Sequence, residues 1–393
     1  MAIKLAMRMG RLGTETAFEV LVRAKALEAQ GRDVIHLEIG EPDFDTPAHV
    51  IEAGCDALHS GWTHYGPAAG QPELKQAIAE YVNGSRGTSF APEQVVVTPG
   101  GKPIMFFAIL ALVEAGDEAI FPDPGFPIYQ SMIDFTGARA VPIPLREERG
   151  FGLDVEELAG LITPRTRLLI LNSPANPTGG VLTREEITEI ARLAVEHDLI
   201  VLADEIYSEL LYEGEHVSIA TMPGMDERTI VLDGFSKTYA MTGWRLGYGL
   251  MPPQLVEAVS RLMVNSVSCT SVGVQRAGIA ALTGPQDDVV RMREAFRARR
   301  ELVVDGLNAI PGITCVRPAG AFYAFPNITG TGQSSKQFAD ALLNEHGVAT
   351  LAGTAFGAHG EGYLRLSYAN SEENLTRALE RIETAARAVA AVR

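Results

Sequence analysis

Lys237 and Arg245 are two cations of this chain whose setting gives them chemistry. They follow Thr229-Ile-Val-Leu-Asp233, a strand-like run that meets Gly234 and passes at once to Ser236 and Lys237. A lysine delivered from the end of a buried strand is poorly hydrated, which lowers its pKa and makes it a nucleophile or base. Two further apolar runs end in the same manner. Arg167-Leu-Leu-Ile-Leu-Asn172 opens into a Ser-Pro-Ala-Asn-Pro-Thr-Gly turn that carries Asn176, and Leu199-Ile-Val-Leu-Ala-Asp204 is followed by Tyr207. A fourth stretch, Gln94-Val-Val-Val-Thr98, runs through a Pro-Gly-Gly turn into Lys102 and Pro103. Bare amides at the start of a helix, with its dipole behind them, bind phosphate, so Gly101 and Lys102 are read as an anion site. Pro103 suits the first helical turn, where its missing N–H costs nothing.

Stepping from these residues to what must hold them, continuous apolar runs of this length read as parallel strands buried on both faces. Helical patterns between them cover Pro72–Tyr81, 103–114, Val155–Ile162, Glu185–His197 and Pro253–Val264. Alternation of this kind predicts an α/β fold with a mostly parallel sheet between helix layers, and ligands bind beyond the carboxyl ends of such strands. From about Gln286 an Arg-rich helix (Val289–Leu307) leads to short strands at Ile313–Arg317 and Ala321–Phe325, a helix at Gln337–Glu345, and strands near Val348 and Tyr363–Ser367. That pattern predicts a smaller α+β domain. The expected division is an N-terminal arm and helix (1–45) joining the small domain, a large domain (46–285) and a small C-terminal domain (286–393).

The segment Gly234-Phe-Ser-Lys-Thr-Tyr-Ala-Met-Thr-Gly-Trp-Arg-Leu-Gly247 resembles the cofactor-lysine motif of the fold-type I pyridoxal-phosphate enzymes of aminotransferase class I/II. The other strand-end motifs follow in that family's order from about residue 36 to 368, and the bacterial aspartate aminotransferase branch is the nearest. The resemblance implies that Lys237 attaches the cofactor and then acts as base, and that Asp204 faces the pyridine nitrogen. It implies that Tyr207 and Asn176 bond the ring's phenolate oxygen, and that Ser236, Arg245 and the Gly101 and Lys102 amides hold the phosphate. Phe126, in Asp123-Pro-Gly-Phe-Pro-Ile-Tyr129, takes the place of the aromatic stacked on the ring. Arg365 takes that of the arginine gripping the α-carboxylate in two parallel hydrogen bonds, and Gly40 offers it an amide. Tyr65 is expected to cross a homodimer interface to the partner's cofactor.

The implied reaction is ping-pong transfer of an amino group from an L-amino acid (aspartate, aromatic or neutral) to a 2-oxo acid such as 2-oxoglutarate. Aligned on Ala24-Lys-Ala-Leu-Glu28, residues Ala17 to Glu19 replace the hydroxyls that meet a distal carboxylate beside Lys102 in that branch. Glu19 there would repel an aspartate donor, so a neutral or aromatic donor is expected. A β-lyase or related eliminase could use the same side chains, and a non-catalytic regulatory module could bind the same cofactor; the first 33 residues leave no room for the DNA-binding domain such a module uses.

Composition sets bounds. At 393 residues, 46% hydrophobic and 21% charged, the chain reads as a two-domain globular protein. A net charge of −16 disfavours nucleic-acid and anionic-membrane partners. Cys55, Cys269 and Cys315 have no spacing that indicates a disulfide framework or a metal site. No stretch is long and apolar enough to span a bilayer, and Lys4, Arg8 and Arg11 break any signal-peptide core, so the cytoplasm is the expected compartment. No GxGxxG follows a strand, so no dinucleotide site is expected.

Overall fold

The runs ending at Asn172, Asp204 and Gly234 become neighbouring strands of one sheet. The computed structural model describes residues 3–391; residues 1–2 and 392–393, at the outer ends of the expected N- and C-terminal units, lie outside the described residues. Strand β1 (Ile35–His36) comes first. The main sheet comprises β2 (Val95–Thr98), β3 (Glu118–Asp123), β4 (Arg139–Pro144), β5 (Thr166–Asn172), β6 (Ile200–Asp204), β7 (Thr229–Gly234) and β8 (Gly247–Leu250). Its spatial order is β2-β8-β7-β6-β5-β3-β4. Strand β8 is antiparallel to both neighbours and every other pairing is parallel. Register aligns Asn172 with Asp204, Asp204 with Leu232 and Gly234 with Gly247. The carboxyl ends of β5, β6 and β7 therefore share one edge.

These strands are apolar throughout because both faces are covered. Leu168, Ile170, Leu202, Ile230 and Leu232 pack on the helices Lys102–Leu112, Ile128–Thr136 and Pro253–Ser266. Leu169, Leu171, Val201 and Ala203 turn to the opposite layer and meet the helix Arg184–Glu196. The alternation along each strand is one of layer, not of core and solvent.

The small domain holds β9 (Tyr323–Ala324), β10 (Val348–Ala349), β11 (Leu351–Ala352) and β12 (Leu364–Ser367), with β11-β12-β9 forming an antiparallel sheet. The helices Asp287–Asn308, Ser335–His346 and Glu372–Ala391 supply its core through Phe296, Val303, Phe338, Leu342 and Ile382. Strand β1 pairs in parallel with β10, Ile35 opposite Val348, which ties the N-terminal segment to this end of the chain. The helix Thr16–Glu28 buries Ala24 and half-buries Ala17, Val20, Leu21 and Leu27, the apolar stripe its periodicity predicts.

Two expected strands differ. Ile313–Arg317 makes only an isolated bridge, Thr314 to Asn327, and the second strand shrinks to Tyr323–Ala324. Pro311, Pro318 and Pro326 bracket these stretches and cannot donate to a ladder. The Asn308 side chain takes over the ladder's role by bonding both the amide and the carbonyl of Cys315. Among the described residues no helix is long and apolar enough to cross a membrane.

Candidate active site

A cleft of about 910 Å³ opens where β5, β6 and β7 end, between the main sheet, the N-terminal segment and the small domain. Lys237 enters from the short helix Phe235–Thr238 that begins as β7 ends. Its ammonium donates to the Gly40 carbonyl at 2.5 Å and sits 5.6 Å above the Phe322 ring. Burial lowers its pKa from 10.5 to about 8, with Glu41 opposing the shift and Arg365 adding to it. Gly40 has to be glycine, since a Cβ there would stand 2.2 Å from the Tyr323 hydroxyl.

Asp204 ends β6 with its carboxylate buried. It accepts from the Tyr129 hydroxyl at 2.7 Å and from the Ile206 amide at 3.3 Å. Burial pushes its pKa up to about 6, against the pull of those two hydrogen bonds. Such a carboxylate is poised for a cation, which would restore its ordinary acidity. Tyr207, three residues on, shares a 2.7 Å hydrogen bond with Tyr323.

Asn176 is fixed through its own amide, which donates to the Asn172 side chain at 2.8 Å. Its side-chain oxygen accepts from Arg365 at 3.2 Å. Arg365, on β12, is 4% exposed and lies between the rings of Tyr323 and Phe356, at 4.6 and 4.9 Å. One terminal nitrogen donates to the Glu38 carbonyl at 2.5 Å, while Nε has no hydrogen-bond partner among the described residues. A buried guanidinium with an unused donor at a cleft is a receptor for an anion.

The opposite wall presents free backbone donors. The helix Lys102–Leu112 starts at Gly101 with no side-chain cap, and Pro103 leaves the Gly101 and Lys102 amides as the free donors of its first turn. Ser236 and Arg245 face the same space. Arg245 adopts φ 56°, its side chain held by the Thr242 carbonyl at 2.9 Å, and a Cβ on Gly100 would strike its guanidinium at 2.2 Å. These glycines keep the cradle open.

The cleft thus collects Gly40, Gly101, Lys102, Phe126, Asn176, Asp204, Tyr207, Ser236, Lys237, Arg245 and Arg365. Tyr65 is not in it: its side chain is 90% exposed beside a separate depression with Trp62 and His64. Glu19 is exposed and does not line the cleft. The acid that reaches the distal end is Glu15, one turn earlier, ion-paired with the Lys102 ammonium. Glu19 lies within the helix Thr16–Glu28, on its exposed side. Glu15 precedes the helix in extended conformation, so its side chain swings inward where helix spacing would turn it out.

The family model for aminotransferase class I and II matches residues 32–382. The chain belongs to that family. It is similar to the arginine–pyruvate transaminase of Pseudomonas aeruginosa, 42% identical over 93% of each chain. It is similar to aromatic-amino-acid aminotransferase 2 of Thermococcus litoralis, 43% identical over 90% of this chain and 92% of that one. The structure of Thermus thermophilus aspartate aminotransferase with maleate superposes with a TM-score of 0.94 at 41% identity, covering 98% of this chain and all of the other.

This aminotransferase is accordingly a pyridoxal-phosphate-dependent enzyme, and its residues fit that group. An uncapped helix start beside an arginine suits the phosphate, a buried carboxylate suits a protonated ring nitrogen, and a lysine of lowered pKa suits an aldehyde. Sequence reading passed over Tyr129, Tyr323, Asn172 and Glu15. Tyr129 ends the very motif that named Phe126. Asn172 is marked only as the end of its strand, and Tyr323 and Glu15 carry no local mark.

Proposed function

We propose that this aminotransferase moves the amino group of a neutral or aromatic L-amino acid, in preference to aspartate, to a 2-oxo acid such as 2-oxoglutarate. The observation that carries the donor preference is Glu15, a carboxylate at the distal end of the cleft already paired with the lysine that a second substrate carboxylate would need. A donor with two carboxylates has to break that pair and tolerate the charge left behind, whereas a neutral side chain meets Ala17, Phe18, Leu21 and Phe126 without that cost. The relatives, named for arginine, aromatic and aspartate substrates, support a family in which this end of the cleft varies.

Bound here, pyridoxal phosphate supplies a carbonyl group to which amines attach and a ring that draws electrons from the substrate's α-carbon. Lys237 would anchor it, and its free amine, with a pKa of about 8, can take up and return a proton near neutral pH. Asp204, braced by Tyr129, holds a positive ring nitrogen. Tyr207, Asn176 and Phe126, which line the cleft, would hold the ring, the first two as hydrogen-bond partners of its oxygen. The Gly101 and Lys102 amides, Ser236 and Arg245 hold the phosphate. Arg365, with the Gly40 backbone, orients the α-carboxylate so that the α-proton faces Lys237. The donor leaves as a 2-oxo acid before the acceptor enters, which is the ping-pong order.

We further propose a homodimer in which Tyr65 completes the partner's phosphate site, since it is exposed and serves nothing in its own chain's cleft. Mixing inactive Lys237→Ala and Tyr65→Phe chains should then restore activity; subunit exchange without recovery contradicts it.

A donor panel at fixed 2-oxoglutarate tests the function itself. Phenylalanine or a neutral aliphatic donor should lead aspartate in kcat/KM. Aspartate ahead of all of them by about a hundredfold, or about 2.7 kcal/mol of discrimination, would overturn the reading.

A further inference from the structure

The Glu15–Lys102 pair joins two segments that are far apart in sequence, the extended residue before the helix Thr16–Glu28 and the first residue of the helix Lys102–Leu112. It lines the cleft together with Ala17, Phe18, Leu21, Met105 and Phe126. The Lys102 ammonium also stands 5.5 Å from the centre of the Phe126 ring. The two partners are not equally held. The Glu15 side chain is 18% exposed, that of Lys102 45%. Lysine has a long, flexible stem and a strongly hydrated head, so when the pair opens Lys102 moves to water and Glu15 stays. Opening is cheap, because an ion pair with one half-exposed partner is well screened by water. What remains is a carboxylate facing an apolar slot that leads back to Arg365 and Lys237. Burial dominates the titration of Lys237, Tyr323 and Arg365, and the charge of Glu15 acts on all three, so they share one space.

We infer that Glu15 is a specificity-determining residue that receives the cationic side chain of a donor such as arginine or lysine, with Lys102 as the counter-ion that such a side chain displaces. A guanidinium or ammonium group at the far end of an α-amino acid does for Glu15 what Lys102 does in its absence, and a guanidinium does it with two parallel hydrogen bonds. The aliphatic stem of the donor lies along Phe18, Leu21 and Phe126. A distal carboxylate meets the reverse situation: it has to draw Lys102 away while Glu15 repels it. The cleft thus admits neutral donors with the pair closed and cationic donors with it exchanged. This rests on the aminotransferase reading above and extends its donor range.

The test compares kcat/KM for arginine, phenylalanine and aspartate, at fixed 2-oxoglutarate, in wild type, Glu15→Gln and Glu15→Asp. In wild type the arginine-to-aspartate ratio should exceed unity. Glu15→Gln should lower the arginine-to-phenylalanine ratio by about tenfold or more, a factor worth about 1.4 kcal/mol, and raise the aspartate-to-phenylalanine ratio. The loss should lie mainly in KM, and Glu15→Asp should recover part of it. A Glu15→Gln enzyme with unchanged ratios, or a wild type that prefers aspartate to arginine, overturns the inference. Turnover of phenylalanine by the wild type in the same experiment keeps the aminotransferase reading apart from this one: its absence counts against that reading, and its presence beside unchanged ratios counts against Glu15 alone.

Discussion

The Tyr129 hydroxyl donates to the Asp204 carboxylate at 2.7 Å, from a helix that starts just beyond β3 to the last residue of β6. Asp204 would otherwise keep only the 3.3 Å bond from the Ile206 amide. A buried carboxylate with so few donors drifts toward its protonated form and then cannot hold a positive ring nitrogen. Tyr129→Phe should raise the Asp204 pKa beyond its value of about 6 and cost kcat roughly tenfold to a hundredfold, the kinetic equivalent of one hydrogen bond to a charged group at about 1.5–3 kcal/mol. The loss should deepen as pH falls, since acid protonates what the tyrosine no longer restrains. Steady-state kinetics at successively lower pH decide it; a loss of the same size at every pH would assign Tyr129 a packing role only.

Behind the same strand ends lies a buried network that no substrate touches. Arg86 donates to Glu205 at 2.6 Å, to Ser208 at 2.7 Å and to Asp233, and Tyr248 adds a bond to Asp233 at 3.2 Å. Glu205 and Asp233 adjoin Asp204 and Gly234, so Arg86 fastens the two strand ends that carry Asp204 and Lys237. Arg86→Met should cost about 3–5 kcal/mol of stability, because the buried Asp233 loses its counter-charge and Glu205 keeps only His216 beside it. Urea unfolding measures it, and an unchanged midpoint would mean that water or protonation replaces the arginine.

Lys237 gives a pH dependence of definite sign. Burial lowers its pKa from 10.5 to about 8, so the folded chain releases this proton earlier than an unfolded one does. Only the neutral amine acylates. In the cofactor-free chain the rate of Lys237 acetylation should climb with pH to a midpoint near 8 and level off above it, while exposed lysines keep rising toward 10.5. Competitive labelling read by mass spectrometry resolves the residue, and a Lys237 midpoint close to 10.5 would remove its claim to act as a base near neutral pH.

Much of this architecture is legible in the chain. Apolar runs without polar alternation mark β5, β6 and β7 because strands buried on both faces have no solvent side to record. Their last residues, Asn172, Asp204 and Gly234, mark the edge where the cleft lies. Helix starts are legible through Pro72, Pro103 and the Thr183–Glu186 capping box. What escapes is whatever depends on contacts between distant segments. Tyr323 bonds Tyr207 from the small domain, and Glu15 meets Lys102 from the N-terminal arm. Neither pairing has a period or a spacing to announce it. The misplaced strand at Ile313–Arg317 has the same origin, since a side chain of Asn308 took over what local propensity assigned to a ladder. Glu19 sits on the exposed side of its helix, and the acid that turns to Lys102 is Glu15, just ahead of the helix, which spacing alone does not mark.

The central claim is that Lys237, Asp204 and Arg365 perform transfer of an amino group and not its elimination. The most direct measurement follows the nitrogen of a ¹⁵N-labelled L-amino-acid donor in the presence of unlabelled 2-oxoglutarate. In the wild type the label should pass one for one into the new amino acid, with no labelled ammonia, and the Lys237→Ala variant should transfer none. Label released as ammonia in step with donor consumption, or undiminished transfer without Lys237, would contradict the account.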